Sequence, residues 1–354
     1  MVLTDRILAF TELGKFLNQF KTTGFEIVNT IKYTDDFFDG MVNKIQTAKH
    51  HNGWFTQENV IFSLTQWGNI LSKENLEKWV SPYNLKDPKQ PKTIGIVMAG
   101  NIPLVGFHDF LSVLISGHKV MIKQSSSDNI LLPYLAEYLT AVEPRLKDHI
   151  TFTTEKFSDF DAVIATGSDN TARYFEHYFG NKPNIIRKNR NSVAILTGNE
   201  STDQLQALGE DIFRYYGLGC RNVSKIMIPE GYDFDPFFKA MYKYNHIIEG
   251  AKYANNYDYN KAVYLMSNFK LFENGFLILK EDQSYSSPIA SLFYETYTSK
   301  EALQQKLKED HEKIQCIVSD NFTENSIDFG QTQCPNLSDY ADGVDIIEFL
   351  TKIS

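Results

Sequence analysis

Cys220 follows Tyr215-Tyr216-Gly217-Leu218-Gly219 and precedes Arg221-Asn222. A thiolate is a strong nucleophile, and a nearby cation raises the ionised fraction of a cysteine. Arg221 is such a cation in the sequence. Gly217 and Gly219 carry no side chain, so a carbonyl substrate could approach the thiol and the backbone N–H groups closely. A small buried cysteine beside a tight turn would account for the same residues, so the chemistry has to be argued from the rest of the chain.

Three other places carry residue types that could join such chemistry. Asn101, in Gly100-Asn101-Ile102-Pro103, could donate to a developing oxyanion; it also reads as a turn asparagine tolerating positive φ. Lys123 is followed by Gln124, Ser125, Ser126 and Ser127. One ammonium with several hydroxyls suits a ribose carrying a 2′-phosphate, and equally a solvated strand end. Thr166-Gly167-Ser168 could set a pyrophosphate or nicotinamide over a helix N-terminus, or be an ordinary turn with Ser168 or Asp169 as N-cap.

Several chemistries lack their signatures. There is no G-x-G-x-x-G and no G-x-S-x-G. The eight histidines show no metal-ligand spacing, and no protease pattern surrounds Cys220.

The elements that must position these residues alternate in type. Thr93–Ala99 reads as a buried strand, Leu104–Ile115 as an apolar helix with Pro103 near its first turn, and His118–Lys123 as a second strand. Ser125–Asp128 supplies cap candidates for a helix over Ile130–Leu139, followed by a strand at Ala162–Ala165 and a helix at Asn170–Tyr178. Asn101, Lys123 and Gly167-Ser168 all fall at carboxyl ends of these strands, where ligands of parallel sheets bind. The second half repeats the alternation. Strands are expected at Ser192–Leu196, Val223–Ile228, Phe276–Leu279, Ile289–Tyr294 and Ile314–Val318, and helices at Gln204–Arg214, Asp235–Tyr244 and Lys300–Glu309. Cys220 then lies in a turn between a helix and a strand. Residues before about 80 read as helical, most clearly Asp35–Lys49 and Gln57–Leu71, the latter with Thr56 as N-cap.

The pattern predicts an α/β fold. A helical segment (1–92) precedes a Rossmann-like dinucleotide-binding domain (93–189), a catalytic domain (190–325) and a C-terminal tail (326–354). The net charge of −9 argues against a nucleic-acid or anionic-membrane partner. Three widely spaced cysteines suggest no disulfide framework and fit a reducing compartment, hence a cytoplasmic protein. No apolar run approaches membrane-spanning length, and the charged N-terminus is no signal peptide.

Together these pieces resemble the aldehyde dehydrogenase superfamily and, within it, the fatty acyl-CoA reductases of the bacterial luminescence (LuxC) type. Ala99–Leu104 resembles the segment of the oxyanion-binding asparagine, and Val120–Lys123 the strand ending in the cofactor-ribose lysine. Ala165–Ser168, with Arg173 beyond it, resembles the Thr-Gly-Ser cofactor turn. Gly217–Cys220 stands where the nucleophilic cysteine stands, with Lys225 as a basic residue just beyond. Lys123–Ser126, Gly219–Arg221 and Asp339–Asp345 resemble the acyl-CoA reductase branch in particular.

The resemblance implies an aldehyde-dehydrogenase-like fold with two parallel-sheet α/β domains. It implies that an acyl-CoA, or an acyl-carrier thioester, is reduced to the aldehyde through an acyl-Cys220 intermediate. Asn101 and the Cys220 N–H would hold the oxyanion. Lys123, Ser125, Ser126, Thr166, Gly167 and Ser168 would bind NADPH, with NADH as the alternative. The arrangement leaves a homo-oligomer open. Where hydrolytic relatives carry a water-activating glutamate in Glu-Leu-Gly-Gly, this chain has Ile186–Ser192 with a cation in that place. Without a base, water attacks a thioester slowly. Ser126 stands where NAD-preferring relatives carry a ribose-binding glutamate, although Asp128 is close by. The competing readings are a hydrolytic NAD-linked aldehyde dehydrogenase and a non-catalytic acyl- or nucleotide-binding homologue.

Overall fold

The computed structural model describes residues 1–353, Asp169 by its backbone alone. The chain divides into two compact units: residues 1–188 together with the chain from Asn336 onward, and Asn189–Pro335.

The first unit opens with helices. α1 (Leu3–Leu17) buries Phe10, Leu13 and Leu17 along one stripe. A short hairpin, β1 (Phe20–Lys21) with β2 (Gly24–Phe25), leads into α2 (Thr34–His51), α3 (Gln57–Ile70) and α4 (Lys73–Val80). Thr56 caps α3 by accepting the Asn59 N–H, and Ser72 caps α4 by accepting that of Asn75. The alternating part follows: β3 (Thr93–Val97), α5 (Phe107–Ile115), β4 (Lys119–Lys123), α6 (Leu131–Val142), β5 (Ile150–Phe152), β6 (Ala162–Thr166), α7 (Asp169–Phe179) and β7 (Asn184–Arg187). The five strands lie in the order β5-β4-β3-β6-β7, every neighbouring pair parallel. Ile94, Ile96, Ile122 and Ile164 are fully buried, as the central strands of a sheet covered on both faces require. The strand order reverses between β3 and β6, which makes their carboxyl ends the topological switch point of the sheet.

The second unit carries β8 (Asn191–Ile195), α8 (Thr202–Phe213), β9 (Val223–Pro229), α9 (Phe234–Met241), α10 (Ala251–Met266), β10 (Leu271–Glu273), β11 (Ile278–Glu281), β12 (Ser291–Tyr297), α11 (Lys300–Glu309) and β13 (Ile314–Val318). Its six-stranded sheet has the order β10-β11-β12-β9-β8-β13, parallel except for the β10–β11 pair. Ser201 and Gln204 form a reciprocal capping box at the start of α8. Two parallel-sheet α/β units with helices at the N-terminus match the expected fold class.

The chain from Asn336 onward packs on the first unit and ends in α12 (Ile346–Lys352). His108 Nε2 lies 2.9 Å from the Leu337 carbonyl, and Trp79 Nε1 donates to the Tyr340 hydroxyl at 2.8 Å. The Tyr340 and Tyr83 hydroxyls are 2.9 Å apart, and Tyr83 donates to Asp345. The Asp339–Asp345 stretch thus anchors the tail to α4 and the loop after it.

Two local expectations are corrected. The helix expected from Leu104 begins at Phe107, because Leu104 takes a left-handed conformation (φ 58) that a right-handed helix cannot include. Ser125–Asp128 provides no cap for α6, whose N-cap residue is Ile130, without a side-chain hydrogen bond. These residues form a turn instead, and Asp128 turns inward to Leu104.

Candidate active site

In the first unit, Lys123 and Thr166 are the last residues of β4 and β6, and Asn101 and Gly167-Ser168 lie just beyond the carboxyl ends of β3 and β6, strands that are adjacent in the sheet. The Met98 N–H donates to the Lys123 carbonyl at 3.0 Å, which carries the β3–β4 pairing past the end of β3. A Cβ on Gly100 would stand 2.6 Å from Ser125 Cβ and Oγ. Only glycine therefore lets the Asn101 turn lie against the Ser125 turn. Asp128, buried beneath both, accepts the Leu104 N–H on Oδ2 at 2.9 Å. The left-handed residue of this turn is Leu104, not Asn101. Asn101 and Ser126 are exposed, while Lys123 and Ser125 are half-buried.

Burial pushes the Asp128 carboxyl up to about 6, against a lowering pull from the Leu104 N–H. Its Oδ1 is buried without a hydrogen-bond partner among the described residues. An acid whose folded value is raised contributes stability below its unfolded value near 3.8 and loses it as pH rises to about 6. Asn at this position keeps an acceptor for Leu104 and removes the buried charge. Asp128→Asn should therefore melt higher than the parent at pH 7, by up to roughly 3 kcal/mol in stability, with the gap closing towards pH 4. Thermal unfolding across that range checks it. An offset of constant size at every pH would show that charge burial is not the cause.

The Thr166–Ser168 turn is supported from below by an ion pair. Arg187, at the end of β7, makes two bonds to Asp109 of α5 at 2.7 and 2.8 Å, both side chains buried. Arg187 Nη1 also reaches Thr166 Oγ1 at 3.4 Å, and the Gly167 N–H donates to the Arg187 carbonyl at 3.4 Å. Ser168 is the N-cap of α7, accepting the Thr171 N–H. The Ile186–Ser192 stretch contains no carboxylate, and its cations are committed: Arg187 to Asp109, Lys188 to Glu176 at 3.1 Å, and Arg190 to the His311 carbonyl at 3.4 Å.

In the second unit, Cys220 is exposed in the turn before β9, whereas Cys316 is buried and Cys334 half-buried. The Asn222 N–H donates to the Gly219 carbonyl at 3.0 Å, so Gly219–Asn222 is a β-turn with Cys220 as its second residue. Ser192 Oγ donates to the Cys220 carbonyl at 3.0 Å. Arg221 Nε donates to the Thr332 carbonyl at 2.5 Å, which commits that nitrogen to the backbone rather than to a thiolate. Lys225, the basic residue expected just beyond the cysteine, lies wholly in the core. It pairs with Glu295 at 2.5 Å and donates to the Gln283 carbonyl at 2.8 Å, with burial lowering its pKa. A residue two positions into a central strand faces the core by register, and no reading of spacing alone anticipated that. The Asp109–Arg187 pair, Ser192 and Asn222 were given no role from the sequence, and Asp128 was read only as a cap candidate and as a charge near Ser126. Asp109, Arg187, Ser192 and Asp128 act on partners far away in the chain, whereas Asn222 acts on backbone groups within 11 positions of it.

Among the described residues, no cluster of three or more His, Cys, Asp or Glu side chains could hold a metal ion. None of the described helices is long and apolar enough to cross a membrane.

The fold has many solved counterparts. The chain is similar to aldehyde dehydrogenase KauB from Pseudomonas aeruginosa, with a TM-score of 0.62 at 11% identity, covering 90% of this chain and 72% of that one. It is similar to the aldehyde dehydrogenase from Bacillus cereus, solved as an NAD+ complex, with a TM-score of 0.61 at 10% identity over 90% and 72% of the two chains. The succinate complex of aldehyde dehydrogenase 21 from Physcomitrella patens gives a TM-score of 0.60 at 13% identity over 90% and 73%. No curated protein matches the chain. The profile of one family, acyl-CoA reductase (LuxC), matches residues 41–237. That span is more than half of the 354 residues and contains Asn101, Lys123, the Thr166–Ser168 turn and Cys220. The chain belongs to the acyl-CoA reductase (LuxC) family, oxidoreductases that here take the aldehyde dehydrogenase fold.

Proposed function

We propose that this protein reduces a fatty acyl-CoA to the aldehyde with NADPH, with Cys220 as the nucleophile. The observation that carries this reading is the family match over 41–237, which spans every residue proposed for the site. The Cys220 thiolate attacks the thioester carbonyl, and the carbonyl oxygen takes up the negative charge. The Asn101 side chain and the Cys220 N–H donate to that oxygen. As the carbonyl re-forms, the bond to the CoA sulfur breaks. CoA leaves as the thiol after protonation, and the acyl group stays on Cys220. The residues around β3, β4 and β6 suit a dinucleotide. Lys123 meets no carboxylate in ion-pair range among the described residues. Ser125 and Ser126 follow it closely in the chain, and Ser168 opens a helix whose N-terminus favours anions. When bound, a reduced nicotinamide supplies the hydride that takes the acyl-cysteine to the aldehyde level, freeing the thiolate. With no carboxylate in Ile186–Ser192, the chain brings no general base from that stretch to hydrolyse the acyl-cysteine first.

The test is aldehyde formation across a series of acyl-CoA chain lengths with NADPH and with NADH, together with the mass of Cys220 after exposure to acyl-CoA alone. Acylation of Cys220 with no aldehyde under either cofactor would favour an acyl carrier, and neither result would leave a scaffold. Oxidation of an added aldehyde to the carboxylic acid, with NAD+ reduced to NADH, would favour the hydrolytic reading.

Cofactor preference gives a second check. Lys123→Ala should weaken NADPH binding by about 10- to 100-fold, the size of one charge-assisted hydrogen bond, and NADH binding much less. Titration of both cofactors against both proteins reads this out. Equal losses, or a parent that prefers NADH, would remove Lys123 from the 2′-phosphate site.

A further inference from the structure

The segment before Cys220 is left-handed over three consecutive residues: Tyr215 (φ 54), Tyr216 (φ 59) and Gly217 (φ 74). For an L-residue other than glycine this conformation costs roughly 1–2 kcal/mol. It persists only where the surroundings over-determine it. One buried side chain spans the segment. Asn222, 2% exposed, donates through Nδ2 to the carbonyls of Asp211 at 3.0 Å and Arg214 at 2.8 Å, ahead of the left-handed residues. Through Oδ1 it accepts the Gly219 N–H at 2.8 Å, behind them and next to Cys220. Its own N–H closes the Gly219–Asn222 turn. Asn222 and Gly219 therefore bond reciprocally, and the amide ties both ends of the segment together.

Asp211 anchors the same place from the other side. Its carboxylate accepts the N–H groups of Gly330 (2.6 Å) and Thr332 (3.0 Å) and the Thr332 hydroxyl (2.9 Å), and the Thr332 carbonyl takes Arg221 Nε. The residues flanking Cys220 are thus held by a closed ring of bonds that runs from α8 to the segment at 330–332 and back.

We propose that Asn222 is the positioning residue of the nucleophile: its amide clasps the left-handed segment shut and so sets the place and direction of the Cys220 thiol. This rests on the reading of Cys220 as the attacking group. Asparagine is the side chain the clasp needs. Two carbonyl oxygens require two N–H donors on one nitrogen, and the Gly219 N–H requires an acceptor on the same planar group. Aspartate has the same shape and keeps the acceptor, but sets an oxygen against the Asp211 and Arg214 carbonyls.

The experiment compares the parent with Asn222→Asp. Acyl transfer from acyl-CoA to Cys220 should slow by about 10²-fold, the scale of a small misplacement of a reacting group, with KM little changed. Iodoacetamide should alkylate Cys220 more slowly while its rate at Cys334 is retained. A purely structural role would lower the melting temperature without separating the two cysteines or splitting kcat from KM. In the parent, the Gly219 amide should exchange with solvent slowly despite its partial exposure. Parent-like acylation and alkylation of Cys220 in folded Asn222→Asp would overturn the proposal. So would an unprotected Gly219 amide in the parent, a result that stands even if the variant fails to fold. Should the parent Cys220 take no acyl group at all, the nucleophile reading falls, and alkylation and exchange still judge the clasp.

Discussion

Cys220→Ser should abolish aldehyde formation, by roughly 10⁴-fold or more, on the scale seen when an enzyme loses its nucleophile. A serine hydroxyl in the same turn is un-ionised near neutral pH and needs a partner base to attack a thioester. The fold should survive, because Cys220 is exposed and its backbone carbonyl keeps the Ser192 hydroxyl bond. NADPH binding should survive too, since the residues assigned to it belong to the first unit. The other two thiols are poor substitutes. Cys316 is buried within β13, and burial pushes the Cys334 thiol up, leaving less of it as thiolate. Cys316→Ser and Cys334→Ser should therefore change turnover little. The measurements are aldehyde formation, the mass of the acylated protein and a cofactor titration for each variant. Turnover retained in Cys220→Ser would refute the assignment of the nucleophile, whatever the fold.

The alternating architecture could be read from the chain because its strands are apolar runs and its helices have aliphatic stripes. Lys300–Glu309 and Ile314–Val318 are found at their expected bounds, and the strands around Ile94, Val120 and Val163 lie within a few residues of theirs. α10 was missed for a physical reason. Its buried positions are Tyr253, Tyr257, Asn260 and Tyr264, spaced as one helical face but built of polar-tipped side chains. These make their bonds inside: Tyr253 donates to the Phe276 carbonyl and Asn260 to that of Ile289. A face of this kind carries little hydrophobic contrast, so periodicity does not find it.

The site was legible in part, and the division follows chemistry. Residues that could meet a ligand sit at strand ends and turns, and position in the chain locates those. Residues that aim them are buried, and several act across long separations, as Asp109 does on Arg187, 78 positions away. Left-handed Leu104, Tyr215 and Tyr216 leave no mark in the sequence either, because bulky residues at positive φ are rare and are held there by tertiary bonds. The partners of the two basic residues near the thiol, Arg221 and Lys225, were not legible either. Arg221 has a backbone carbonyl, and Lys225 has Glu295.

Asn101→Ala should slow acylation of Cys220 by about 10²–10³-fold, the usual loss of one oxyanion donor, with acyl-CoA binding and melting temperature nearly unchanged. A donor aimed at charge that grows during attack acts mainly in the transition state, so its removal lowers the rate more than it weakens the ground-state complex. The turn itself has other supports. Asn52 Nδ2 donates to the Gly100 carbonyl at 3.3 Å, Ser63 Oγ to the Pro103 carbonyl at 3.0 Å, and the Leu104 N–H to Asp128 at 2.9 Å. The positive φ that would make asparagine a structural choice belongs to Leu104 instead. Those bonds remain when the Asn101 side chain is cut back to a methyl group, so the backbone of the turn should hold. The test measures three quantities on one variant: the single-turnover rate of Cys220 acylation, the affinity for acyl-CoA measured with Cys220 blocked, and thermal unfolding. A large fall in melting temperature with normal acylation in the folded fraction would make Asn101 a structural residue. A loss of affinity equal to the loss of rate would make it a substrate contact with no preference for the transition state.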